Sequence, residues 1–179
     1  GVTDTAFIES VRLAEHAAKC GAVGVVAAPP YYFAPSQQEL IEYYSQVDEP
    51  TIICIFGDHQ PSVESAFYEE LFGNPTSELT LEEEQKMYVT PFMIWANYDI
   101  EEKTVEDISL NYLATLLLET AELPMTAYQQ YLTELHKTLP VITTLGYMDA
   151  EGSWYRMDDE DSPYAELVEN YRKVQYNNL

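Results

Sequence analysis

Two short runs of apolar residues, each stopped by a turn signal, limit what this chain can fold into. Ala22 to Ala28 (AVGVVAA) ends at Pro29 and Pro30, and Thr51 to Phe56 (TIICIF) ends at Gly57, Asp58, His59, Gln60 and Pro61. Runs of that length without polar alternation suit strands covered on both faces, the pattern of a parallel sheet flanked by helices. Helical segments surround both runs. Ile8, Val11, Leu13, Ala14, Ala17 and Ala18 approximate one helical face, with Thr3 or Asp4 as cap and Gly21 as stop. Ser36 with Glu39 forms a capping-box pattern, continued at helical spacing by Leu40, Ile41, Tyr44 and Val47. The alternation predicts an α/β fold.

The remainder reads as further alternation. A helix is expected from Val63 to Leu71, a loop from Gly73 to Ser77, and a second capping box at Thr80 with Glu83. Val89 to Ala96 is expected as a strand that Pro91 confines to an edge or a bulge. Ser109 to Glu119 and Thr126 to Lys137 carry the clearest amphipathic patterns, separated by Glu122, Leu123 and Pro124. Val141 to Thr144 suits a last short strand, and Gly146 to Met157 a Tyr- and Trp-bearing hairpin turning at Gly152. Ser162 and Pro163 open a final helix.

Charge excludes one class of partner. The 8 Lys and Arg face 31 Asp and Glu, a net charge of −23, and the only local basic cluster is Arg172 with Lys173. Nucleic acid and anionic membrane surfaces are bound by basic patches, so neither is expected. The 46% hydrophobic content is enough to bury a core. No window approaches eighteen apolar residues and the N-terminus lacks the basic-then-apolar layout of a signal peptide, so the chain as given is expected to be soluble. Cys20 and Cys54 are too few for a disulfide framework. The chain opens at Gly1 rather than Met, as a mature form or a piece of a longer reading frame would.

Asp58 and His59 carry the best chemistry. In open α/β sheets, sites collect beyond the carboxyl ends of strands, and a carboxylate beside an imidazole suits Mn²⁺ or Zn²⁺ better than Ca²⁺. Gly57 would let the loop turn sharply at positive φ. The plainer reading is that Asp58 satisfies turn amides and His59 caps the loop. His16 and His136 read as surface or boundary residues. Tyr31 and Tyr32 could relay protons or simply pack with their hydroxyls at the surface. Trp95 and Trp154 suit sugar stacking or core packing, and Glu82 to Glu84 and Asp158 to Asp161 are solvated faces and helix starts. There is no Gly-rich phosphate loop, no GxSxG elbow and no Cys-x-Pro-x-Arg string.

Two family resemblances cover different parts of the chain. FGDHQP, preceded by DEPTIICI, resembles the metal-binding strand end of lipoteichoic acid synthase and related phosphoglycerol transferases, sulfatase-like members of the alkaline phosphatase superfamily. The resemblance continues through YVTPFMIWANYDIE, ISLNYLATLLLETAELPMTAYQQYL, PVITTLGYMDAEG and YRKVQYNNL. It implies a transferase of cell-envelope polymer synthesis, extracellular and membrane-anchored, acting on a lipid-linked glycerophosphate. It also implies Mn²⁺ or a similar cation, with the family's Asp-His pair falling on Asp58 and His59. The family's nucleophilic Thr, a further acidic ligand and the substrate-binding His and Arg lie upstream of GDH, so no Thr here is assigned that role and no activity is expected of this chain alone.

Residues 1 to about 47 instead resemble a strand-helix piece of the dihydrodipicolinate synthase and N-acetylneuraminate lyase family of TIM barrels. There the PYY string implies that Tyr32 relays protons to a Schiff-base intermediate, although no Lys stands between Lys19 and Lys86. A cytoplasmic lyase fragment is implied on this side. About two barrel units cannot close a barrel. The joint expectation is an α/β chain in which an aldolase-like fragment, residues 1–47, precedes a partial alkaline-phosphatase-like sheet flanked by helices, residues 48–179. Such a seam suits a chimeric reading frame; a functioning fusion and a non-catalytic α/β module are the alternatives. Donor, acceptor and oligomeric state are left open by the sequence.

Overall fold

A computed structural model describes residues 7–22, 25, 36, 38, 39, 42 and 50–177. All but Ala22 and Val25 of the strand expected at 22–28, the caps Thr3 and Asp4, Tyr31, Tyr32 and the end of the helix after Ser36 lie outside the described residues. Two compact units are present, one of residues 1–51 with 95–98 and the other of 52–94 with 99–179.

In the first unit, α1 (Phe7–Lys19) stops as its sequence predicts. Gly21 takes φ 87°, its N–H donates to Ala18 O, and Ala22 N–H donates to Ala17 O, the paired bonds that close a helix through a left-handed residue. The Ser36 capping box forms, with Ser36 N–H and Oγ both donating to Glu39 Oε2 at 2.7 and 2.8 Å. Thr51 N–H donates to Asn97 Oδ1 at 2.8 Å and Asn97 N–H to Thr51 O at 3.1 Å.

The second unit begins with β1 (Ile52–Phe56), followed by α2 (Ser65–Phe72), a 3₁₀ turn at Thr76–Glu78 and α3 (Leu81–Lys86). The Thr80 box is complete, with Glu83 N–H donating to Thr80 Oγ1 and Thr80 N–H to Glu83 Oε2. β2 (Phe92–Ala96) is the neighbour of β1. Gly57 N–H bonds to Pro91 O at one end while Thr51 and Asn97 pair at the other, so the two strands run antiparallel. The sequence reading of β1 as a doubly covered parallel strand is therefore corrected. None of its residues is buried, and Phe56 is 48% exposed.

Helices α4 (Leu110–Thr120) and α5 (Ala127–Thr138) pack on each other, and Thr126 with Gln129 caps α5 by a third reciprocal box. A three-stranded antiparallel sheet follows, β3 (Val141–Ile142), β4 (Gly146–Met148) and β5 (Trp154–Arg156), with Tyr147 opposite both Ile142 and Tyr155. Gly152 at φ 83° turns the expected hairpin. The last helix, α6 (Ala165–Asn177), brings Val168 and Tyr171 onto Tyr112, Leu132, Leu135, Leu139, Ile142 and Tyr147. These eight residues form the core. The architecture is thus helices with small antiparallel sheets, an α/β fold. No described helix is long and apolar enough to cross a membrane.

Candidate metal site

Asp58 and His59 sit just past β1, where the sequence places them, and both are exposed. Gly57 holds the strand end, but not by a positive φ. Among the described glycines only Gly21, Gly73 and Gly152 have positive φ. Gly57 is needed for close approach instead: a Cβ there would lie 2.9 Å from Thr90 Cβ. Thr90 Oγ1 also donates to Gly57 O at 2.9 Å, and Gly57 N–H donates to Pro91 O at 3.1 Å. The 89–91 segment therefore clamps the loop that presents the pair.

Asp58 Oδ1 accepts the His59 N–H at 2.9 Å, so this carboxylate does satisfy a turn amide, as the plainer reading expects. Its other oxygen lies 3.5 Å from His59 Nε2. His59 Nδ1 is 3.0 Å from Gln60 O, and a carbonyl accepts only, so the neutral ring carries its proton on Nδ1 to make that bond. Nε2 then keeps a lone pair beside Asp58 Oδ2. Two donors on one tetrahedral cation with bonds of about 2.1 Å stand roughly 3.4 Å apart, close to the 3.5 Å between Asp58 Oδ2 and His59 Nε2. A ligating imidazole whose second nitrogen donates to a carbonyl is also the usual arrangement around such ions. Among the described residues no group of three or more His, Cys, Asp or Glu is placed to hold a metal. The site is two donors, one half of what a tetrahedral centre needs.

Asp58 also lies on the wall of an open cleft of about 1190 Å³ within the second unit, with Thr90, Lys86, Glu106, Asp107 and Arg172 among its other polar residues. The other histidines have neighbours of their own. His16 is exposed on α1, with Cys20 Sγ 3.7 Å from its Nε2. His136 is half-buried with its ring 5.0 Å from that of Tyr112; burial lowers its basicity and Glu119 partly opposes this. Trp154 is half-buried in β5 rather than presented as a flat platform. Tyr32 lies outside the described residues.

Sequence reasoning missed Thr90 and Gln60, whose partners lie far along the chain; the Gln60 amide donates to Val89 O. It also missed Asp149. That buried carboxylate accepts from Glu151 N–H at 3.0 Å, Ser153 N–H at 2.8 Å and Tyr155 OH at 3.0 Å. An Asp opening a Gly-containing turn was the available signal.

Comparison with known proteins finds two families on overlapping parts of the chain. Residues 1–55 match the dihydrodipicolinate synthetase family and residues 38–123 match the sulfatase family, the two overlapping at 38–55. A 4-hydroxy-tetrahydrodipicolinate synthase of Syntrophus aciditrophicus (strain SB) is 36% identical over 62 residues, covering 35% of this chain and 21% of the relative. The chain thus spans about a fifth of the length of that relative. No solved structure matches.

Proposed function

We propose that residues 48–179 are the C-terminal part of a metal-dependent phosphoglycerol transferase of the sulfatase-like kind, joined to an aldolase-like fragment of residues 1–47. Asp58 and His59 form one half of its cation site. The observation that carries this reading is the donor pair itself, 3.5 Å apart with Nδ1 tied to Gln60 O, inside the sulfatase-matching stretch. A bound Mn²⁺ or similar ion would polarise a phosphoryl oxygen of a glycerophosphate headgroup. This chain's own part is to present two donors on a clamped loop at the cleft wall. The remaining donors and the nucleophile belong to the part of the domain that precedes GDH in that family, so the 179 residues alone transfer nothing. By the same reading the parent enzyme works outside the cell on lipid-linked substrate.

Titration with Mn²⁺ tests the half-site. Calorimetry and paramagnetic broadening of amide signals are expected to show a weak site at residues 57–60 that disappears in the Asp58→Ala, His59→Ala double variant. Asp158→Ala, which removes the same net charge on another turn, leaves it intact. Equal heats and equal broadening in parent and double variant remove the reading, because a chain of net charge −23 attracts cations everywhere.

The match of residues 1–55 to the dihydrodipicolinate synthetase family favours a second reading, a Schiff-base lyase fragment centred on Tyr32. Borohydride trapping with pyruvate, followed by intact mass, is expected to give no adduct. A lysine adduct would put this reading first.

A further inference from the structure

We propose that Gln60 is a positioning residue for the donor pair, fixing the His59 tautomer so that Nε2 is the nitrogen offered to a cation; this rests on the half-site reading above. Gln60 acts through both of its polar ends. Its backbone carbonyl accepts the His59 Nδ1 proton at 3.0 Å, and its side-chain amide donates to Val89 O. Val89 begins the short segment that also grips Gly57 through Thr90 Oγ1 and Pro91 O. The loop is therefore pinned at both ends, at Gly57 and at Gln60, with Asp58 and His59 between the pins. Freed of the second pin, the Gln60 carbonyl can turn to water. An exposed imidazole then takes its solution preference, with the proton on Nε2, and that proton covers the lone pair a metal needs. The adjacent Asp58 Oδ2, 3.5 Å away, would reinforce the change by accepting it. A side chain 29 residues from its anchor thereby decides which nitrogen of its neighbour can act as a ligand.

Nitrogen-detected imidazole spectra of the metal-free chain in mildly alkaline solution test this, with the His59 signals identified by His59→Ala. In the parent protein the proton is expected on Nδ1. Gln60→Ala and Gln60→Met, which lack the donor to Val89 O, move it mostly to Nε2 and weaken Mn²⁺ binding about tenfold. Gln60→Lys keeps a donor in place of the amide, and retains the tautomer. A parent ring protonated on Nε2, or a Gln60→Ala ring still protonated on Nδ1, overturns the assignment. If the tautomer responds as expected but the parent shows no localised Mn²⁺ binding, the positioning role of Gln60 stands and the half-site reading fails.

Discussion

Truncation of Tyr147 to alanine is expected to cost about 3–5 kcal/mol, the range for emptying a fully buried aromatic site. Tyr147→Phe is expected to be neutral or mildly stabilising. The ring is 1% exposed, stacks on Tyr155 at 5.5 Å with 17° between planes, and stands in β4 between Ile142 and Tyr155. Removing it opens a cavity in the cluster that also holds Leu139 and Val168. Its hydroxyl behaves differently, being buried without a hydrogen-bond partner. Deleting an unpaired buried hydroxyl removes a desolvation cost and forfeits no bond. Urea unfolding of the two variants reads the difference directly, with the alanine midpoint well below the parent and the phenylalanine midpoint at or above it. A Tyr147→Phe loss above about 1 kcal/mol would mean that the hydroxyl is paired after all.

What the sequence made legible was local. The boxes at Ser36 and Thr80, the stop at Gly21 and the hairpin turn at Gly152 each depend on residues within five positions of one another, and each forms. Asp58 and His59 were legible for the same reason, as neighbours after an apolar run. The neighbour of β1 was not. An all-apolar strand reads as doubly covered whether its partners are parallel or antiparallel, and only the pairing of Thr51 with Asn97 and Gly57 with Pro91 decides the direction. The purpose of Gly57 was hidden in the same way, since a glycine required by Thr90 looks in one dimension like a glycine required by positive φ. Gln60 was invisible because its carbonyl is a backbone group and its amide finds Val89 across 29 positions. The pair's place after β1 could thus be read from adjacency, but the clamp that holds its loop could not.

Asp149→Ala is expected to melt the β4–β5 hairpin and destabilise the chain by about 2–3 kcal/mol, because the partners of a buried acceptor are left unsatisfied together. The carboxylate takes the amides of Glu151 and Ser153, which shape the turn, and the Tyr155 hydroxyl, which ties that turn to the ring stacked on Tyr147. Burial works to raise its pKa, but the bonds from Ser153, Tyr155, Glu151 and Tyr164 outweigh it, and the net shift is downward. The sign of the pH dependence follows. A native pKa below the unfolded value of about 3.9 means that ionised Asp149 stabilises the fold fully above that value, and that the contribution is lost as pH falls through the lower native pKa. Asp149→Asn keeps an acceptor for the two amides but has no charge to lose. Its deficit relative to the parent is therefore expected to be constant from about pH 8 to pH 5 and to shrink below about pH 4. Urea midpoints across that range check it, and a deficit that grows on acidification would contradict the direction. Since the hairpin holds Tyr147 against Leu139 and Ile142, acid loosening at Asp149 is expected to reach the core before it reaches the Asp58 loop, which is pinned separately at residues 89–91.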